Sequence, residues 1–147
     1  MPTTMSDTVE LLNFIYKNAQ MGQESIGYLL KVVDDPRMRQ HLRRQQEEYA
    51  GIMEDAHGMM QEDHAGAQGV GAVAKMSAYM MVNIKTMVDK TPSHIAQMMI
   101  EGSTKGTIEI TKKLKLYKGV DQPAEKLGQR LLAMEEDNIE KLKKFLA

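Results

Sequence analysis

Apolar residues recur along the chain at alternating steps of three and four positions, which places them on one face of a helix. No stretch alternates between apolar and polar residues as a half-buried strand does. The pattern therefore predicts an all-α protein in which four helices each bury one face. The four stripes are Val9, Leu12, Tyr16, Ala19, Gln23, Ile26, Leu30 and Val33; Met38, Leu42, Gln45, Tyr49, Ile52 and Ala56; Ala96, Ile100, Ser103, Thr107, Ile110, Leu114 and Tyr117; and Leu127, Leu131, Met134, Asn138, Leu142 and Phe145.

Helix-start signals divide the first half of the chain into two segments. Asp7 with Glu10 forms a capping-box pair, which predicts a helix over about 7–33. An aspartate followed by proline at 35–36 combines an N-cap residue with a proline at the first helical position, and predicts a helix over about 36–60. The short connection between these segments predicts that they form a helical hairpin.

A second hairpin is predicted in the C-terminal half. The Thr-Pro pair at 91–92 starts a helix that ends near Tyr117, before Gly119, and the sequence DQP at 121–123 starts the last helix. The stripes of the two hairpins match each other weakly, which indicates an internal repeat. Two similar hairpins joined by a long connection are the plan of a ferritin-like bundle.

The connection between the hairpins contains its own predicted helix. The sequence GAQGVGA at 66–72 is typical of a flexible linker, and an apolar helical stretch follows over about 73–90. We therefore predict a single domain over 1–147, an antiparallel four-helix bundle made of two hairpins. The linker and an extra crossover helix occupy 66–90.

Composition removes several classes of chemistry. The net charge of −1 comes from 19 basic and 20 acidic residues, so global charge favours neither nucleic acid nor an anionic membrane. Without cysteine the chain forms no disulfide, zinc–thiolate site or iron–sulfur cluster. The N-terminal residues lack a signal-peptide pattern, and the most apolar run, 70–88, is interrupted by lysine and asparagine. A cytoplasmic protein without a membrane span is expected.

Methionine is unusually abundant, with 14 residues against 5% aromatics. Because thioethers are soft ligands, a copper site is one interpretation. Most of these methionines fall at core spacing, however, where the flexible side chain fills irregular gaps. The core interpretation is therefore favoured.

Two phrases, NAQMGQESIGYLLKVVDDPRMRQHL and MIEGSTKGTIEITKKLKLY, give the chain a family likeness. They pair Gly22 with Glu24, and Gly106 with Glu109, in the middle of predicted helices. Over about Val9 to Leu146 the chain resembles the small bacterial ferritin-like proteins of uncharacterised function. The resemblance implies a four-helix bundle with a central position for two metal ions.

The resemblance implies a set of ligand positions that this chain fills differently. A di-iron member would carry Glu on two helices and Glu-x-x-His on the other two. Here Glu135 matches the Glu of the last helix, but Asn138 stands in place of the His. The repeat places Gln46 opposite Glu135, and Tyr49 opposite Asn138.

The remaining two helices also depart from the ligand pattern. In the first helix the interior mid-helix residue is Gln23, and Glu24 lies at the edge of the buried face. In the helix of the third stripe the corresponding residue is Thr107, and Glu109 follows two residues later. Neutral side chains do not offset the charge of two hard cations. We therefore predict a hydrogen-bonded polar core layer in place of the metal site. Its members are Gln23, Tyr49, Thr107 and Asn138. The alternative is an iron or manganese site built from Glu24, Glu109 and Glu135.

Other charged clusters have simpler interpretations. A group of basic residues around His41 is typical of phosphate or nucleic-acid binding, but Glu47 and Glu48 follow within a turn, so an exposed, salt-bridged face is predicted. Basic residues near the C-terminus suit the negative end of a helix. The two groups are Arg37, Arg39, Arg43 and Arg44, and Lys141, Lys143 and Lys144.

A literal Glu-x-x-His occurs at Glu54 and His57, with His64 beyond it. In a hairpin that turns near residue 35, these positions lie two or more turns away from the level of Glu24. Solvated residues near a helix end are therefore favoured over a zinc or copper site.

The predicted crossover helix is apolar on more than one face, which suits burial against two partners. Burial within one chain and self-association are both open interpretations, and the interface residues would be Tyr79, Met81 and Val82. The sequence thus favours a non-enzymatic ferritin-like bundle without a cofactor, acting as a homo-oligomer or through an unidentified protein partner. The alternative is a di-metal oxidoreductase or metal-storage protein.

Overall fold

The computed structural model describes residues 4–62 and 87–147, which form four α-helices and no strand. Helices α1 (Thr4–Leu30) and α2 (Pro36–Glu62) make up the first described part. Helices α3 (Pro92–Leu116) and α4 (Gln122–Leu142) make up the second, and a 3₁₀ turn at Lys143–Phe145 follows α4. For these residues the all-α prediction is confirmed. None of the helices in this part of the chain has the length and apolarity to cross a membrane.

The predicted starts of α2 and α3 are confirmed by their caps. The side chain of Asp35 accepts a hydrogen bond from the backbone N–H of Met38 at 2.8 Å. The hydroxyl of Thr91 accepts one from the N–H of His94 at 3.3 Å. Proline follows each cap at the first helical position, where no N–H is needed. After α3, Gly119 adopts a φ of +86°, which is why the chain turns sharply before α4.

Three predicted boundaries differ from the structure, namely both ends of α1 and the end of the crossover helix. Helix α1 begins at Thr4, so Asp7 lies within its first turn and is not its N-cap. It ends at Leu30 and not near Val33. The Arg39 guanidinium donates hydrogen bonds to the carbonyls of Leu30 and Val33 at 2.5 and 2.7 Å, and these bonds stabilise the turn between α1 and α2. The predicted crossover helix does not reach residue 90, because 87–91 are not helical. The rest of 66–90 lies outside the described residues.

Replacing Asp35 with alanine is expected to lower the free energy of unfolding by about 1 kcal/mol, because it removes the acceptor for an N-terminal amide of α2. Asp34→Ala is the matched control, since Asp34 is exposed and lies one residue earlier. Urea denaturation of both variants measures the difference. Equal losses in the two variants would contradict the capping role.

The core lies between the helices, with α1 packed along α2 and α3 packed along α4. Every stripe position predicted for α2 is buried, and so is every stripe position of the last helix except Phe145, which is partly buried and lies in the 3₁₀ turn. In α1 the stripe is displaced, since Tyr16 and Gln23 are only partly buried. Helix α1 also contacts α3 and α4, so its buried face is broader than one stripe. The largest fully buried side chains are Leu11, Leu12, Ile15, Met38, Leu42, Ile52, Met60, Ile95, Ile110, Leu131 and Leu142.

Candidate functional site

A buried tyrosine–glutamate pair lies in the core between α2 and α4. The hydroxyl of Tyr49 donates a hydrogen bond to Oε1 of Glu135. Both side chains are removed from solvent, with 5% of Tyr49 and 3% of Glu135 exposed. A carboxylate at such a depth needs a partner, because burial of an unpaired charge is strongly unfavourable. The hydroxyl of Tyr49 is such a partner for Glu135.

The pair continues as a line of hydrogen bonds along α2. Nε2 of Gln45 donates to the hydroxyl of Tyr49 at 3.4 Å, and its Oε1 lies 3.0 Å from Nε2 of His41. The spacing of four residues places the three side chains on one helical face. The Ser103 hydroxyl of α3 faces both Tyr49 and Glu135. No buried side-chain nitrogen or oxygen in the described parts of the chain lacks a hydrogen-bond partner.

Two mid-helix glycines close over this pair. A Cβ atom on Gly22 of α1 would lie 2.5 Å from Cζ of Tyr49, so the phenol ring occupies the space that a side chain would need. A Cβ on Gly106 of α3 would lie 2.9 Å from Oε2 of Glu135. The absence of side chains lets α1 and α3 approach the pair closely. These are the two glycines that the phrases carrying the family resemblance pair with Glu24 and Glu109.

Burial determines the protonation of the pair. It raises the pKa of Glu135 to about 7, with Glu48 contributing in the same direction, whereas the hydrogen bonds from Tyr49 and Ser103 oppose the rise. The pKa of Tyr49 is raised well above its ordinary value by burial and by the negative charge of Glu135. Near neutral pH the pair therefore carries at most one negative charge, and Glu135 holds it.

Asn138 lies next to the pair, one turn further along α4. Its side-chain amide donates to the carbonyl of Met134 at 2.9 Å and to Oε1 of Glu48 at 3.1 Å. The residue is fully buried. An amide at this position satisfies a carboxylate of α2 without adding charge, so Asn138 joins α2 to α4.

Two of the four residues predicted for the polar core layer are buried, and two are partly exposed. Tyr49 and Asn138 are buried in the core. Gln23 and Thr107 are partly exposed, and the Thr107 hydroxyl donates to the carbonyl of Thr104 on its own helix. Ser103 is the buried stripe residue of α3 at this level, because the buried positions Ala96, Ser103 and Ile110 recur every seven residues. The sequence contains a signal for the burial of Gln45 and Ser103, because both are polar residues at positions of the apolar stripes.

The three residues of the predicted metal alternative do not come together. Glu135 is bound by Tyr49, whereas Glu109 is exposed and lies 3.9 Å from the amine of Lys112. Glu24 is partly buried on α1. Across residues 4–62 and 87–147 no group of three or more histidine, aspartate or glutamate side chains is arranged to hold a metal ion.

The remaining predicted residues are placed as follows. Glu54 and His57 are exposed, and the His57 ring lies against Tyr16 with centroids 6.3 Å apart. His64 and the predicted interface residues lie outside the described residues; the latter are Tyr79, Met81 and Val82.

The face predicted around His41 is exposed at Arg37, Arg43 and Arg44, but the predicted salt bridges do not form among the described residues. Arg39 binds backbone carbonyls, and within the described ranges Arg37, Arg43 and Arg44 form no ion pair. Glu48, which was expected to pair with this group, is bound by Asn138.

Replacing Asn138 with alanine is expected to lower the free energy of unfolding by about 2 kcal/mol, because the partly buried carboxylate of Glu48 loses a donor and a small void forms in the core. Chemical denaturation measures the loss, with Gln129→Ala on the exposed face of α4 as control. If the Asn138 variant unfolds at the same urea concentration as the wild type, the bridge does not stabilise the protein.

Comparisons of the chain with protein-family models, with curated proteins and with solved structures gave no match.

Proposed function

We propose that the protein is a ferritin-like four-helix bundle without a di-iron centre, and that it acts through protein contacts, including contacts with further copies of itself. The observation that carries this proposal is the filled centre of the bundle. A di-metal site needs several carboxylates around a space for two cations. Here one buried carboxylate, Glu135, is bound by Tyr49, and Gly22 and Gly106 close directly over them.

The directions of the helices support the ferritin-like arrangement. Between α2 and α4, Glu48 contacts Asn138 and Asp55 contacts Arg130, so the two helices run in opposite directions. In a bundle of two hairpins joined by a long crossover, the second and fourth helices are related in this way.

Contacts of α1 with the second hairpin agree with that order. The backbone N–H of Asp121 donates to the hydroxyl of Thr8 at 3.2 Å, and Ile15 lies beside Gly128, so α1 and α4 run in the same direction. The hydroxyl of Tyr117, at the end of α3, donates to Glu10 at 2.8 Å, near the start of α1. All four helices thereby face a common interior.

Exposed apolar side chains support a role in protein contacts. Among the described residues Val88 is 96% exposed, and three further large apolar side chains are at least 45% exposed. Val88 lies at the end of the methionine-rich segment that the sequence predicts as an interface. The three others are Ile108, Leu116 and Leu146.

Elemental analysis tests the absence of a metal centre. The protein is produced with added iron and manganese, purified aerobically without chelator, and its metal content per chain is measured. We expect a value near zero and no near-ultraviolet band. About two metal ions per chain would overturn the proposal and favour the di-metal alternative of an oxidoreductase or storage protein.

Light scattering after size exclusion, over a range of protein concentrations, tests self-association. We expect an oligomer that the triple substitution Y79S/M81S/V82S converts to a monomer. Gln129→Ser, which replaces an exposed residue of α4 outside these apolar side chains, serves as the control and leaves the oligomer intact. A wild-type chain that is monomeric at every concentration would contradict self-association.

A further inference from the structure

A cleft of about 200 Å³ lies between the first turns of α2 and the C-terminal end of α4. Four of its lining residues are cationic: two lie in the first three turns of α2, one at the end of α4 and one in the 3₁₀ turn that follows. A histidine and a phenylalanine line it between them. The residues of this basic cleft are Arg37, Gln40, His41, Arg44, Lys141, Lys144 and Phe145.

Most of the positive charge in the basic cleft is uncompensated. Lys141 pairs with Asp137 at 2.8 Å, but Arg37, Arg44 and Lys144 form no ion pair with any residue in the described parts of the chain. The end of a helix favours cations, which accounts for the two lysines. The start of a helix disfavours them, and Arg37 lies in the first turn of α2. Helix electrostatics therefore do not explain why these charges converge.

Side-chain contacts fix the positions of three residues that line the cleft. The buried ring of His41 is held by Gln45, with Nε2 3.0 Å from the amide oxygen, and lies edge-on to Phe145 with centroids 6.2 Å apart. The guanidinium of Arg37 lies 6.0 Å from the centroid of the same phenylalanine ring. A cation–π contact of this kind attracts the guanidinium to the ring and leaves its N–H groups available for a ligand.

We propose that the basic cleft binds a small anion that carries phosphate groups, of the size of diphosphate. Arginine presents paired N–H donors that match two oxygens of a phosphate, and lysine adds a mobile charge, so the combination suits a ligand with several negative charges. The volume is below the roughly 300–1,000 Å³ of pockets for drug-sized molecules, which indicates a small ligand. This inference is independent of the proposed role in protein contacts.

Isothermal titration of the full chain with sodium diphosphate, at constant ionic strength, tests the proposal. We expect saturable binding of one diphosphate per chain. The double variant R44Q/K144Q should weaken the affinity by about tenfold or more, because two charged hydrogen-bond donors are lost. The matched control is R43Q/K143Q, which removes the same charge one residue away from each position and outside the cleft. It should change the affinity less than about twofold, since exposed charges at a distance are screened.

Three outcomes would overturn the proposal. The first is the absence of saturable diphosphate binding to the wild type. The second is an equal loss of affinity in the two double variants, which would show attraction by a diffuse basic surface. The third is binding of a single-stranded oligonucleotide or of anionic lipid vesicles without binding of diphosphate. Thermal melting of each variant, monitored by circular dichroism, confirms that the fold is retained.

Discussion

Replacing Gly22 with alanine is expected to lower the free energy of unfolding by about 2 kcal/mol, although alanine is the better helix former. The new methyl group would lie 2.5 Å from Cζ of Tyr49. The ring cannot move away freely, because its hydroxyl is bound to Glu135 and to Gln45. Either α1 shifts outward or the buried hydrogen bonds lengthen, and both cost more than the helix propensity contributes.

Gly102→Ala is the matched control for this prediction. Gly102 lies in the interior of α3 with no atom within 4 Å of an added Cβ, so alanine there should stabilise the protein by roughly 0.5–1 kcal/mol. Urea denaturation of the two variants therefore yields shifts of opposite sign. A stabilising Gly22→Ala substitution would show that the ring of Tyr49 does not fill the space between α1 and α2.

The pH dependence of stability is expected to carry the signature of Glu135. The pKa of this carboxyl is about 7 in the folded protein and near 4.5 when it is exposed to water. Between these values the folded state holds a proton that the unfolded state has released. The contribution of Glu135 is thus fully present below about pH 4.5, falls as pH rises through 7, and amounts to about 3 kcal/mol.

Glu135→Gln isolates this contribution. Glutamine keeps an oxygen that accepts from Tyr49 and has no charge to bury, so the variant should be more stable than the wild type at pH 8, by up to about 3 kcal/mol. The difference in stability between the variant and the wild type should shrink toward pH 5.

The comparison must be made as a difference between the two proteins, because His41 changes the stability of both with pH in the opposite direction. Burial lowers the pKa of His41, together with Lys141 and Arg44, so its contribution is lost as pH falls.

The control for this comparison is Glu136→Gln, which neutralises an exposed carboxylate at the adjacent position of α4. Its denaturation curves should follow those of the wild type at every pH between 5 and 8. If the Glu135 and Glu136 variants show the same pH profile, the buried carboxyl does not titrate in this window and the assigned pKa is wrong.

The contrast between α2 and α3 illustrates what local pattern can predict about burial. In α2 every stripe residue is buried, because this helix packs one face against α1 and α4. In α3 the stripe residue Thr107 is only partly buried, and its hydroxyl donates a hydrogen bond to a carbonyl of its own helix. Spacings of three and four cannot distinguish a residue at the centre of a helical face from one at its edge. The error of the predicted polar layer has this origin.

The prediction for the basic residues failed for a different reason. Glu47 and Glu48 lie one turn from the arginines of α2, and local pairing was the simplest expectation. Instead Asn138, 90 residues away in the sequence, binds Glu48, and Arg37, Arg43 and Arg44 form no ion pair with a described residue. Competition from a distant donor is not visible in a helical repeat.

By itself the sequence determined the helical class, the starts of α2 and α3, and most of the buried face of α2 and α4. These features depend on interactions within a few residues, such as the caps at Asp35 and Thr91. The tertiary structure alone decided that Tyr49 meets Glu135 across 86 residues of sequence, and that two helix ends form the basic cleft. The raised pKa of Glu135 also has a tertiary cause, because it arises from desolvation, and burial exists only after the helices have packed.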